Sequence, residues 1–196
     1  ARCKSPRKVM MFVAGPLKLA LATIHEALFE VRHKFTIGCV FEPIDLLNEA
    51  LKQYFDVENP RIGVAALNPH CGEDGQFGDE EQRIISPAIL LAQEQGINCL
   101  GPISADTLFL RATQGEFDGV VAMYHDQGMI PVKMLDFEHA VNITIGIPII
   151  RTSPAHGTAF DIAGKNIANP AGMKSALTTA IRMAKTKKNL ELRVQN

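Results

Sequence analysis

The chain has 196 residues, 20 of them Lys or Arg and 21 Asp or Glu, for a formal net charge of −1 at pH 7. That balance excludes a strongly basic nucleic-acid face. With 46% hydrophobic against 21% charged residues, it also excludes a chain that is disordered throughout. The length allows one large domain or two small ones, and such a chain buries roughly 70% of its unfolded surface without disulfide staples.

Cys3, Cys39, Cys71 and Cys99 are scattered without a CxxC pair. The pattern is neither a zinc-finger spacing nor a disulfide framework, and the thiols read as reduced, as in the cytoplasm. No apolar run reaches the ~18 residues of a membrane span, and no signal-peptide pattern is present. The chain opens on Ala1 and a polar run over residues 2–8, which reads as a processed N-terminus or as part of a longer protein.

In chain order, Val9–Ala14 is a short apolar run closed by the Gly15-Pro16 turn signal, and the apolar pattern resumes over residues 17–24. The two runs predict a β-hairpin. Residues 35–55 read as helical: Ile44, Leu47, Leu51 and Tyr54 fall on one face, and Pro43 fits a first helical turn. Residues 61–67 read as a buried strand running into Asn68-Pro69-His70, then into a Gly-rich acidic loop over 71–78, read as mobile. A helix is expected over residues 79–95, acidic in its first turn and ended by Gly96. A short strand over 98–100 and a helix over Ala105–Thr113 follow. Residues 118–124 read as another buried strand, ending directly in His125-Asp126-Gln127-Gly128. Extended runs over 140–145 and 147–151 precede a last helix over 171–187, with residues from Asn189 onward expected to be loose. Strands alternating with helices predict an α/β fold. The polar clusters at 68–70 and 124–128 sit just after strands, at the edge where open α/β sheets bind ligands.

Three histidines, His25, His70 and His125, each follow an apolar strand-like run. Their separation makes no local ligand motif. Either the fold gathers them around a divalent cation, or each is singly satisfied at a strand end. Asp106 and Asp126 are candidate oxygen ligands or partners of a ligand, and Asp106 equally reads as a helix cap. Lys133, Asn142 and Arg151 lie on otherwise apolar segments, where an unpaired charge is costly. A phosphate or carboxylate substrate would satisfy them, as would an internal carboxylate. The chain has neither a GxxxxGK nor a GxGxxG pattern. The small and polar residues over 156–170 leave backbone amides accessible. Such a loop can wrap an adenine and ribose, or can simply cap the final helix at Asn169-Pro170.

Five pieces occur in a telling order: Leu67-Asn68-Pro69-His70; Gly101-Pro102 with Ala105-Asp106-Thr107-Leu108-Phe109; Ala122-Met123-Tyr124-His125-Asp126-Gln127-Gly128; Val141-Asn142-Ile143-Thr144; and Ile150-Arg151-Thr152-Ser153. Together they resemble the 4-hydroxythreonine-4-phosphate dehydrogenase family of vitamin B6 synthesis, over nearly the whole chain. Residues 156–170 resemble the cofactor loop of isocitrate and isopropylmalate dehydrogenases, whose fold that family shares. The resemblance implies an isocitrate/isopropylmalate dehydrogenase-like fold in α/β/α layers, here lacking the N-terminal part of the cofactor domain, since family members are much longer. It implies a cytoplasmic homodimer, with no nucleic-acid or membrane partner. It further implies NAD- and divalent-metal-dependent oxidation of 4-phosphohydroxy-L-threonine to a 3-keto acid, which decarboxylates to 3-amino-2-oxopropyl phosphate.

By the same resemblance, His25, His70 and His125 hold the metal (zinc, magnesium or cobalt), with ligands drawn from both subunits. Asp106 matches an acidic position near it, and Asp106 and Lys133 are the catalytic candidates. Lys133, Asn142 and Arg151 match substrate-binding positions. His156, Gly157, Thr158, Ala159, Asp161 and Asn169 would contact NAD. Residues 1–104 would carry the metal, substrate and dimer contacts, and residues 105–196 the C-terminal part of the NAD-binding domain. One departure stands out. The family pattern at the first histidine is Thr-Thr-His followed by Leu-Pro-Leu, whereas this chain has Thr23-Ile24-His25-Glu26-Ala27-Leu28. That variation keeps a related four-carbon phosphate, such as threonate or erythronate 4-phosphate, as an alternative substrate. A non-catalytic metal-binding dimer fragment is the alternative of another class.

Overall fold

The structure, a computed structural model, describes residues 5–194; Cys3 and the start of the polar N-terminal run lie outside them. The expected hairpin forms. Strands β1 (Val9–Ala14) and β2 (Leu17–Leu21) pair antiparallel, with Ala14 opposite Leu17 across a two-residue turn. Gly15 takes φ 54 there, a conformation open to a residue without Cβ. After a short helix α1 (Val31–Lys34), which the apolar pattern did not announce, helix α2 runs over Ile37–Phe55. Its start is set by Thr36, whose hydroxyl accepts the Cys39 N–H at 3.2 Å. Pro43 therefore falls inside the helix rather than in its first turn. Ile44, Leu47, Leu51 and Tyr54 are all buried, as their spacing requires.

Strand β3 (Ile62–Ala65), helix α3 (Ser86–Glu94), strand β4 (Cys99–Ile103), helix α4 (Ala105–Thr113) and strand β5 (Gly119–Ala122) continue the alternation. The helix expected over 79–95 opens instead with a π-helical turn, Glu81–Ile85, before α3 begins. Helix α5 (His125–Leu135) follows β5 at once. No helix was expected over these residues: they carry no clear apolar stripe, and Pro131 stands inside the helix. Strands β6 (Val141–Ile145) and β7 (Arg151–Pro154) close the sheet. The second extended run thus lies later than the expected 147–151, because the bend after Gly146 (φ 79) uses up residues 147–150. Residues 195 and 196 lie outside the described residues. Helix α6 spans Ala171–Val194 and so includes residues 189–194 of the stretch expected to be loose. It does so because it packs along α2, and Arg193 reaches Asp56 at 3.1 Å.

The seven strands form one sheet in the order β4-β3-β5-β2-β1-β6-β7. The β4, β3, β5 and β2 side is parallel; the β2, β1, β6 and β7 side is antiparallel. Strands from both sides of residue 104 contribute to it. Alternate side chains enter two cores. One contains Met11, Ala20, Val64, Val121 and Ile143 with residues of α2, α3 and α6; the other contains Phe12, Leu19, Leu21, Val120 and Ala122 with residues of α4 and α5. The result is the expected three-layer α/β/α arrangement.

Candidate active site

The four parallel strands end on the same edge, and each hands the chain to a candidate residue. Asp106 follows β4, His70 follows β3, His125 follows β5 and His25 follows β2. Beyond the strand ends, β2 and β5 stay tied together. The Ala22 N–H donates to the Ala122 carbonyl at 2.8 Å and the Thr23 N–H to the Met123 carbonyl at 3.1 Å. The buried Thr23 hydroxyl donates to the same Met123 carbonyl at 2.8 Å. This continued pairing carries His25 and His125 side by side, with ring centroids 5.6 Å apart and planes tilted by 41°. Both line a cavity of about 500 Å³ with Thr23, Tyr124 and Asp126.

His125 Nδ1 lies 2.7 Å from Asp126 Oδ1. A neutral imidazole donates from Nδ1 in that contact, which leaves the Nε2 lone pair free. Two adjacent imidazoles, one of them so oriented, fit the nitrogen ligands a divalent cation takes. His70 does not line that cavity; it is exposed, with Nδ1 3.7 Å from Glu73 Oε1. Among the described residues of one chain, no group of three His, Cys, Asp or Glu side chains gathers in a cation-sized cluster.

The segment expected as a mobile loop has a definite form. His70, Cys71, Glu73 and Asp74 all take positive φ, from 41° to 57°, with Gly72 between them at 79°. Residues 70–75 thus form a turn of left-handed helix, at a cost of roughly 1–2 kcal/mol for each residue with a Cβ. Its Gly72 lies against the carboxylate of Glu81, the one buried charged side chain among the described residues.

Two residues here escaped sequence reasoning. Gln127 accepts the Met123 N–H at 2.7 Å and donates to the Ala66 carbonyl at 2.7 Å, clasping the ends of β5 and β3. Its place beside His125-Asp126 was the only signal. Glu81 gave none, since Asp79, Glu80 and Glu81 together read as an acidic first helical turn. Gly128, one turn along α5, lets the helix sit close on the sheet. A Cβ there would meet Leu21 Cδ2 at 2.7 Å and Leu19 Cδ2 at 2.8 Å.

Asn142 and Arg151 share one face of the sheet, because Arg151 pairs with Thr144, two residues along from Asn142. Helix α5, which carries Lys133, packs against that face. Lys133 and Arg151 are exposed, so neither is a buried charge in need of a partner. Arg151 Nη1 donates to the Thr144 hydroxyl at 2.8 Å. Asn142 Oδ1 is buried without a hydrogen-bond partner among the described residues. Asp106 is exposed in the first turn of α4, and Ser104, not Asp106, occupies the capping position.

In the 156–170 loop, His156, Gly157, Ala159 and Asn169 line a cavity of about 400 Å³ with Phe137 and Ile162. Thr158 and Asp161 are exposed nearby in the chain. Asn169 Oδ1 accepts the Ala171 N–H at 3.0 Å, so the loop also starts α6. Cys39, Cys71 and Cys99 are free thiols, all with raised pKa through burial. No helix of the described residues is long and apolar enough to cross a membrane.

The chain and its fold are similar to those of known proteins. Residues 1–180 match the family model described as pyridoxal phosphate biosynthetic protein PdxA. The chain is 54% identical over 181 residues to a 4-hydroxythreonine-4-phosphate dehydrogenase of Geobacter metallireducens, covering 92% of this chain and 53% of the relative. The crystal structure of 4-hydroxythreonine-4-phosphate dehydrogenase from Klebsiella pneumoniae superposes with a TM-score of 0.86 at 39% identity, over 93% of this chain and 55% of that one. A terephthalate 1,2-cis-dihydrodiol dehydrogenase from Burkholderia xenovorans gives a TM-score of 0.73 at 32% identity, over 88% of this chain and 55% of that one. Two solved structures at 15% identity, one of them a beta-decarboxylating dehydrogenase, share the fold alone. The chain spans about half the length of the curated relatives it matches. With the family model matched from residue 1 to 180 and the fold superposed on a solved member, the chain belongs to the PdxA family of pyridoxal phosphate biosynthetic proteins.

Proposed function

We propose that the full-length protein oxidises 4-phosphohydroxy-L-threonine with NAD and a divalent metal ion. The observation that carries this reading is the His25–His125 pair, set side by side at the ends of two parallel strands. His25, His125 and His70 would hold zinc, magnesium or cobalt, the set being completed between the two subunits of a homodimer. When bound, the cation supplies Lewis acidity at the substrate hydroxyl, and NAD supplies the hydride acceptor.

This chain's own residues do the rest. Asp126 holds the His125 ring through Nδ1 and so leaves Nε2 as the ligand atom. Arg151 and Lys133 bind the anionic groups of the substrate. Asn142 Oδ1, which has no partner of its own, accepts a hydrogen bond from it. Lys133 and Asp106 are the candidates for moving the hydroxyl proton. His156, Gly157, Thr158, Ala159, Asp161 and Asn169 bind the cofactor, four of them from the cavity at the head of α6. The hydroxyl-bearing carbon gives up its hydrogen with the electron pair and the hydroxyl gives up its proton. The 3-keto acid then loses CO₂, the bonding pair passing toward the ketone oxygen, and the carbon that lost CO₂ takes up a proton to give 3-amino-2-oxopropyl phosphate. The functional division at residue 104 and a cytoplasmic location belong to the same proposal.

The test is NADH formation from 4-phosphohydroxy-L-threonine by the full-length protein, abolished by a chelator and restored by metal. Turnover that survives complete metal removal overturns the metal reading. A second reading rests on Ile24, Glu26 and Ala27 around the first histidine, where the family pattern is different, and on the likeness to a relative named for a dihydrodiol. In it the substrate is threonate or erythronate 4-phosphate. Parallel rates on the three phosphates decide between the two readings.

A further inference from the structure

We infer that Glu81 is a positioning residue for His70: its buried carboxylate is the post around which the left-handed turn carrying that imidazole is wound. Glu81 is 3% exposed and has no cationic partner among its recorded contacts. A carboxylate so buried is costly unless hydrogen bonds hold it. Here Oε1 accepts the Leu67 N–H at 2.8 Å and the Asn68 N–H at 2.7 Å, and Oε2 accepts the Asn68 side-chain amide at 2.9 Å. The other amide hydrogen of Asn68 goes to Glu80 Oε2 at 2.7 Å. Every donor of Asn68 is therefore committed to this acidic pair, two residues before His70.

The turn itself is moulded to the same carboxylate. A Cβ on Gly72 would stand 2.9 Å from Glu81 Oε2 and 2.8 Å from the Gly78 carbonyl; one on Gly78 would stand 2.6 Å from the Asn68 amide. Glu81 in turn sits at the first position of the π-helical turn Glu81–Ile85. A π turn inside a helix is uncommon and marks places where a side chain must be aimed. Neither the left-handed run nor the π turn is favoured by its own residues; the hydrogen bonds of Glu81 tie the π turn to Leu67 and Asn68, which lead into the left-handed run, and its Oε2 lies against Gly72 within that run.

The inference rests on the metal reading above for its functional consequence, but not for its geometry. Glu81→Gln keeps the shape and one acceptor oxygen for the two backbone N–H groups, but sets an amide against the amide of Asn68. Two readouts are taken on the full-length protein. The first is the histidine Cε1–H NMR spectrum without metal, with His70 identified by its loss in His70→Ala. The second is the cobalt titration curve. We expect Glu81→Gln to move the His70 signal, leave those of His25 and His125 in place, and weaken cobalt binding by about tenfold. Thermal unfolding and far-UV circular dichroism verify that the variant is folded, and Asn68→Ala, which removes the shared donor, should reproduce the effect. An unmoved His70 signal in folded Glu81→Gln overturns the inference. So does a moved signal with unchanged cobalt affinity. If the unmodified protein takes up no cobalt, the metal reading fails, and with it the claim that Glu81 positions a ligand.

Discussion

The His25 and His125 rings stand 5.6 Å apart because the bonds from Thr23 to Met123 extend the pairing of β2 and β5 beyond the strands themselves. A parallel pair with a fixed register leaves the two following residues no choice of neighbour. The relationship lies in the backbone, and its chemical content lies in the lone pairs that the two rings present.

Removing either ring should cost metal affinity. His25→Ala and His125→Ala are each expected to weaken cobalt or zinc binding by at least about 100-fold, the upper end of what even an outer partner of a ligand contributes. Asp126→Asn, which loses the charge that orients His125, is expected to weaken it by about tenfold. Isothermal titration of the full-length protein measures all three. Wild-type affinity in both histidine variants would remove these residues from any metal site.

Gln127→Ala should destabilise the fold by about 2–3 kcal/mol, since it leaves the Met123 N–H and the Ala66 carbonyl without their partner. Urea unfolding gives the number. A loss below about 0.5 kcal/mol would show that water replaces the clasp.

Asp118 accepts the Arg61 backbone N–H at 2.9 Å and the guanidinium at 3.0 and 3.1 Å. The Arg61 guanidinium bond holds its carboxyl below the usual carboxylate range, against the opposing effect of burial. A depressed folded value means that the stabilisation is complete above the unfolded value, near 4, and is lost as pH falls through the folded one. Asp118→Asn is therefore expected to lower stability by about 1–2 kcal/mol at neutral pH. The gap should narrow steadily below about pH 4. Unfolding curves for both proteins at several pH values test this, and a gap that does not change with pH contradicts it.

Burial pushes the Cys99 thiol up to about 11. At pH 8 about one molecule in a thousand then carries the thiolate, the form that reacts. Native protein treated with iodoacetamide should leave Cys99 unmodified under conditions that alkylate it fully in urea. Peptide mass spectrometry reads the outcome, and rapid native labelling of Cys99 would show that strand β4 opens readily.

Much of the fold was legible in the residues. The helical face of α2 is a periodic signal and the apolar runs of β1, β3 and β5 are continuous ones; the α2 face and all of β3 and β5 are buried. Helix α5 was not legible, because Gly128 and Pro131 are poor helix formers and its packing on the sheet outweighs their preference. The turn at Pro69–Gly75 was not legible either. Nothing local favours left-handed Cys71 or Asp74, and the carboxylate that fastens Leu67 and Asn68, which lead into the turn, comes from the start of the next helix.

By itself the sequence determined the class of fold, the strand ends at which chemistry could gather, and the family. Those follow from periodicity and ordered motifs, which are local along the chain. Only the tertiary structure decided that His25 meets His125, that His70 sits on a left-handed turn, and that Glu81 is buried against it. Such facts depend on strand order and register, and hydrogen bonds between segments distant in sequence leave no periodic trace in either segment alone.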